Sequence, residues 1–404
     1  MSYFDPKIKQ INGPINLVRL EGKINNIKKV IYVFFEVHMD LSTQNKCNNI
    51  YSKNIEQYLF ESFKNTKDQS LIYDFFLEIN PEDIVNFEWG SFIRTYLDSL
   101  RYFFEKTFSI DPDLDKVSIS KYLKNVRLHY MDIRIYWFKY FFYAFHEPIN
   151  IISSGITLEV YQIIPVIKHL KQILDIFKRF VQMFELVIES KYKQGMKFKV
   201  GFVSEDNLEI DLNNSAYFIN KTYFSYKHPK IKIFIQKIMK NLLSDFNELI
   251  MQFDVLIKEL NTILDKINNA GGKLTKDIVY GYGMNIITNI DMKASVLKKI
   301  LVLNNDLTTK FANLMDVNFL RRFLDKDYIT NAITYTGAAH SNFYVKTLVT
   351  DFNFKITHSA YVFEDMTIDK LNSIVKKIKF DDMDDLLFPK TQCTNVTSFP
   401  KDFL

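Results

Sequence analysis

Short apolar runs that end in polar or charged residues stand near both ends of the chain, and they predict buried strands. They are Lys29 to His38 (KVIYVFFEVH), Leu71 to Glu78 (LIYDFFLE), Val126 to Ile133 (VRLHYMDI) and Ala332 to His340 (AITYTGAAH), with a fifth, Phe354 to Phe363, beyond a short helix. The middle of the chain follows a different period. From Val160 to Tyr192 the apolar residues Ile163, Ile167, Leu170, Ile173, Leu174, Phe177, Phe180, Val181 and Phe184 are spaced to share one face of a helix. A second long helix is predicted from about Pro229, a favourable first-turn residue, to about Asn268, with Gly271 and Gly272 as its stop. Between them, Lys197 to Lys227 is polar, contains Gly201 and an Asn-Asn pair, and reads as a hairpin or an excursion. A third helix, about Asp291 to Leu303, leads toward another at Asp316 to Asp325.

Strands, then a helical block, then strands again imply an α/β fold: a mainly parallel or mixed central sheet with flanking helices and a large helical insertion. Residues 1–404 then form a single composite α/β domain, because two separate domains would each need a core of their own. Residues 148–310 are its mainly helical insertion, and 381–404, with DDMDD, Pro389 and Pro400, is an acidic loop and terminal arm. A coiled coil is the weaker reading of the helices, since aromatic residues are frequent and charge pairing is irregular.

Composition narrows the setting. The 404 residues are 47% hydrophobic, ample for a large core, and carry a formal net charge of only +5. Lysines are interleaved with acids, so no patch resembles a phosphate-tracking surface and no nucleic acid is indicated. Cys47 and Cys393 lie far apart, show no disulfide framework or zinc spacing, and fit a reducing compartment. No apolar run approaches the ~18 residues that span a bilayer; Arg134 to Glu147 comes nearest but contains Lys139 and is followed by Pro148. The N-terminus lacks the apolar core of a signal peptide, so a cytoplasmic protein is the default.

In open sheets ligands meet side chains at the carboxyl ends of strands, which singles out polar residues that end apolar runs. Glu36, His38 and Asp40 share a face if their strand persists, and two acids flanking an imidazole can orient its tautomer or form half of a metal site. An ordinary hydrogen-bonded histidine beside loop acids is the alternative. Glu78 ends DFFLE among apolar neighbours and needs a cation, metal or donor. Asp132 and Arg134 are two apart, able to hold an oxyanion or simply to pair. Gly337-Ala-Ala-His340 puts small residues at a strand end, where the backbone can approach a ligand or a neighbouring element closely. No Walker loop, dinucleotide fingerprint, zincin helix or nucleophile elbow is present, and the GYG of Gly281 to Gly283 reads as a turn.

The order of these motifs resembles the erythromycin esterase, TIKI, TraB and ChaN-like superfamily, particularly divergent members encoded by large DNA viruses. FEVH (Phe35 to His38) resembles its first motif, with Phe35 standing where the family has glycine. DFFLE (Asp74 to Glu78), HYMDIR (His129 to Arg134) and GAAH (Gly337 to His340) resemble the later ones. DVNFLRRFLDKD (Asp316 to Asp327) resembles the arginine-bearing helix of viral relatives, with Arg321 or Arg322 as its site residue. The resemblance implies hydrolysis of an ester or peptide bond in a small-molecule or peptide substrate. It brings together Glu36, His38, Glu78, Asp132, Arg134, Arg322 and His340, with His38 as general base or metal ligand. One divalent metal ion would be held by His38, Glu78 and His340. The alternative is a catalytically degenerate protein that keeps the fold and serves a viral structural or host-interaction role, in the host cytoplasm or the virion, through a viral or host protein partner.

Overall fold

The computed structural model describes residues 9–43, 46–66, 68, 70–79, 93–111, 116–134, 138–155, 158, 160–193, 196, 212–269, 286–389, 391–400 and 403. Gly271, Gly272, Gly281 to Gly283 and the stretch 197–211 lie outside them. The fold is mixed α/β, and the chain divides into two compact units: Met1–Ile133 with Asn318–Leu404, and Arg134–Val317.

The first unit holds the strands β1 (Gln10–Asn12), β2 (Asn16–Ile24), β3 (Ile27–Glu36), β4 (Lys53–Asn54), β5 (Tyr73–Leu77), β6 (Phe108–Ser109), β7 (Val117–Ser120), β8 (Val126–Tyr130), β9 (Asn331–Gly337), β10 (Lys355–Ser359) and β11 (Cys393–Asn395). Eight of them form one sheet in the order β10-β2-β3-β9-β5-β8-β7-β6. Its centre, β3-β9-β5-β8, is parallel throughout, whereas β2 and β7 join antiparallel. The last long strand in sequence therefore slots between the early strands β3 and β5, and this brings Glu36 level with Gly337.

Alternation sorts the central residues onto two faces. One carries Phe34, Glu36, Phe75 and Tyr335 and is covered by α1 (Ile55–Lys64), whose Phe63 ring meets Phe75, and by α2 (Tyr96–Thr107), whose Phe104 also meets Phe75. The other carries Phe35, Asp74, Phe76 and Thr334. Here Phe76 meets Phe319 edge-on.

Several features depart from the sequence reading, three of them in the pairings of the first unit. β2 pairs with β3 through a tight hairpin in which Asn25 and Asn26 both have positive φ (46° and 67°), the conformation that suits the twist of paired strands. The C-terminal segment is no solvated arm: β11 pairs with β1, and the buried Phe403 ring meets Tyr32, Phe34, Phe63 and Tyr73. Cys47 and Cys393 form a disulfide, with Cα atoms 5.0 Å apart. Asn12 sets up that contact, pairing with Cys393 in the sheet and accepting the Cys47 N–H.

The second unit is helical: α3 (Phe138–Ser153), α4 (Val160–Ile188), α5 (Leu212–Phe224), α6 (Pro229–Asn269) and most of α7 (Ile286–Asp325). All nine apolar residues named above on Val160 to Tyr192 are buried, each worth roughly 1.5–3 kcal/mol of transfer free energy if large and fully enclosed. Phe177, Phe180, Phe246 and Phe311 meet mostly edge-to-face at its centre. Residues 212–224 are helix where a hairpin or excursion was predicted, and Asp291 to Asp325 is continuous helix. The intervening NNDLTT is polar but holds no proline or glycine, and Leu307, Phe311 and Leu314 carry the buried face across it. In the first unit the end of α7 is capped by the fully buried Lys29, whose ammonium donates to the carbonyls of Phe323, Lys326 and Ile329.

Candidate functional site

Three neighbouring parallel strands deliver side chains to their common carboxyl edge: Glu36 and His38 from β3, Glu78 just past β5, and His340 from the first turn of α8 (Ala338–Asp351), which follows β9 directly. Chain order gives no hint of this proximity, since His340 lies some 300 positions from His38; the insertion of β9 beside β3 creates it.

His38 has a left-handed backbone (φ 49°), uncommon for a residue other than glycine and a form of strain that concentrates at functional sites. Glu36 offsets its cost. The Glu36 carboxylate is fully buried, and its Oε2 accepts the His38 backbone N–H at 2.6 Å and also engages the ring at Nδ1. The other ring nitrogen, Nε2, lies 3.6 Å from Glu78 Oε2. His340 Nε2 lies 3.8 Å from the second oxygen, Glu78 Oε1. Glu78 is itself held: Oε2 accepts the Gly337 N–H at 3.0 Å, and its carbonyl accepts from Arg101 Nε and Nη2 at 3.2 and 2.7 Å. Arg101 stands on α2, whose start is locked by a reciprocal Thr95–Asp98 capping box. The His38 side chain is 41% exposed against 11% for His340, so the cluster opens to solvent on the His38 side.

Burial alone would push the His38 ring toward neutrality, but hydrogen bonds and charge from Glu36 and Glu78 outweigh it and raise its pKa to about 10. His38 is therefore an imidazolium at neutral pH. Among the described residues no group of three His, Cys, Asp or Glu is arranged to hold a metal ion. His38, Glu78 and His340, the residues expected to hold one, stand here as an ion-paired acid–base cluster.

A family of unknown function, DUF5847, matches residues 9–404. The chain belongs to DUF5847. Uncharacterized protein R706 of Acanthamoeba polyphaga mimivirus is 33% identical over 416 residues, covering 99% of this chain and 98% of that protein. Uncharacterized protein R161 of the same virus is 32% identical over 436 residues and covers 100% of both. Uncharacterized protein R129 is 41% identical over 154 residues, 37% of this chain and 84% of its own length. No solved structure matches the chain.

The remaining predicted residues of this DUF5847 chain are placed differently. Arg322 is buried, with Nη2 3.1 Å from His129 Nδ1 and Nη1 donating to the Tyr130 carbonyl at 3.2 Å. His129 Nε2 in turn meets Asp74 Oδ1 at 2.7 Å, and Arg127 grips the same carboxylate through two hydrogen bonds. Burial drives the His129 pKa down to about 4, with Arg322 adding to the fall against Asp74, so this histidine is neutral. The Phe76 ring stacks on it. Sequence reasoning gave Asp74 no role and singled out His129 only as a polar residue of its strand; the strand register puts the two together.

Asp132 follows β8, its N–H directed to the Ile79 carbonyl, and Arg134 begins the second unit. Asp40 does not share a face with Glu36 and His38 as alternation predicted: the turn at His38 ends the strand, and Asp40 instead accepts from Ser42 in an exposed loop. Phe35 points to the opposite sheet face, fully buried and edge-on to Phe388. The Phe35 ring therefore leaves the His38 side open. Among the described residues no helix is long and apolar enough to cross a membrane.

Proposed function

We propose that this DUF5847 chain is a hydrolase of ester or peptide bonds, a divergent relative of the erythromycin esterase, TIKI, TraB and ChaN-like superfamily. The observation that carries the reading is the Glu78 carboxylate set between the Nε2 atoms of His38 and His340 at the carboxyl ends of adjacent parallel strands. His38, held as a cation by Glu36 and Glu78, is suited to donate to the substrate carbonyl oxygen, where negative charge grows as water adds. His340, oriented by Glu78, takes the proton from that water as the new C–O bond forms. It returns the proton to the leaving oxygen or nitrogen as the old bond breaks. In this reading His38 takes the oxyanion-holding role that the sequence allowed to Arg134, and His340 takes the general-base role expected of His38. A panel of ester and peptide substrates, run with His38→Ala and His340→Ala, tests the reading. Turnover lost in both variants supports it, and turnover indifferent to both histidines removes it.

A second reading is favoured by one feature of the helical unit. A groove of about 680 Å³ between α6 and α7 exposes Met251 (61%) and Val255 (63%), as in a protein that works through a viral or host partner. A stoichiometric partner on purification from infected cells or virions would support that role, and a virion setting is compatible with the disulfide.

A further inference from the structure

Only one oxygen of the buried Glu36 carboxylate is used by His38; the other, Oε1, is buried and meets no protein donor. Other buried oxygens share that condition, Tyr335 Oη and Glu56 Oε2 among them. The hydroxyl of Tyr335, a fully buried side chain, has no partner, and neither does Glu56 Oε2 in the first turn of α1. A buried polar atom left unsatisfied is costly, so such atoms need a common explanation when they lie on one side of a sheet.

Glu36 and Tyr335 lie on one side of the sheet, and Glu56 stands in the first turn of the helix that covers it. Phe34 and Tyr335 are level in the β3–β9 register with their rings in contact, and Glu36 lies two residues beyond Phe34 on the same face. Helix α1 covers that face. Burial first, then the charges of Glu36 and Glu56 and the Tyr96 hydroxyl, push the Tyr335 hydroxyl pKa well above its ordinary value.

The donor count identifies the occupant. A carboxylate can only accept and the Tyr335 hydroxyl can give one proton, so the three groups cannot all satisfy each other. A single water donates twice and accepts once. It would fill both carboxylate oxygens and take the phenolic proton, making the three hydrogen bonds usual for a buried water.

We infer that Glu36 Oε1, Glu56 Oε2 and Tyr335 Oη enclose one ordered water, and that Tyr335 and Glu56 act through it as positioning residues, holding Glu36 against His38. The inference rests on the reading of Glu36 and His38 as parts of the reactive site, and it extends that site to the covered face of the sheet. The charged groups around His38 are Glu36 from β3 and Glu78 beyond β5, with His340 reaching it through Glu78.

The test uses the full chain and needs no substrate. A high-resolution crystal structure should show one water bridging the three oxygens; a dry or protein-filled space overturns the inference. NMR titration of His38 should show its midpoint falling by about one pH unit in Tyr335→Phe and in Glu56→Ala, while Glu56→Gln, which keeps an acceptor, stays within a few tenths. The neutral His129 should not move in any of them. Should Tyr335→Phe fail to fold, the half-buried Glu56 provides the same comparison. An unchanged His38 midpoint in Glu56→Ala overturns the positioning role. If the midpoint shifts but the chain hydrolyses nothing, the water site stands and only the hydrolase reading falls.

Discussion

A Cβ added at Gly337 would lie 3.0 Å from His38 Nε2 and 3.7 Å from Glu78 Oε2. The backbone at Gly337 (φ −51°, ψ 144°) suits any residue, so the glycine is required by its neighbours and not by its conformation. Gly337→Ala is expected to push the His38 ring off Glu78 without unfolding the chain. Thermal unfolding should change little, while any hydrolytic kcat/KM should fall roughly tenfold or more.

The clamp on His38 makes a pH statement. Its folded pKa of about 10 is raised above the ordinary 6.5, so its stabilising contribution is complete below about pH 6.5 and is lost as pH rises through about 10. Denaturant midpoints compared between the wild type and His38→Gln should therefore differ most at about pH 6.5 and just below, shrink as pH rises, and converge above pH 10. A His38 signal titrating near 6.5 would remove the imidazolium assignment.

The opposite behaviour is expected of His129. Its folded pKa is depressed to about 4, so the unfolded chain binds the extra proton and stability falls as pH drops from about 6.5 toward 4. Arg322→Ala leaves His129 Nδ1 and the Tyr130 carbonyl without this donor and should cost about 3 kcal/mol in chemical denaturation. Any hydrolysis per folded molecule should survive, because the Arg322 contacts described are to His129 and Tyr130.

The disulfide gives a check on the C-terminal segment. Mass spectrometry of the unreduced chain should recover Cys47 and Cys393 in one linked peptide. Cys47→Ser should lower stability by about 2–4 kcal/mol under oxidising conditions and by nothing under reducing ones.

The strands that carry the cluster were legible because apolar runs ending in His or Glu stand out in any composition, and His38, Glu78 and His340 were all found that way. What escaped depends on register or on distant pairing. β2 mixes charges into NLVRLEGKI and turns on two asparagines in place of glycine, so its hairpin left little pattern. The position of Arg322 depends on β8 lying beside β5, which turns it toward His129. Cys47 and Cys393 meet only because β11 returns to β1 across 346 positions. The left-handed turn at His38 broke the alternation that would have placed Asp40 in the site.

Glu78 joins the two histidines, and Glu78→Gln changes its charge while keeping its shape. On any ester or peptide that the wild-type chain cleaves, kcat/KM should fall at least about 100-fold in Glu78→Gln, with the fold intact by thermal unfolding. Equal kcat/KM in the two proteins would contradict the acid–base site.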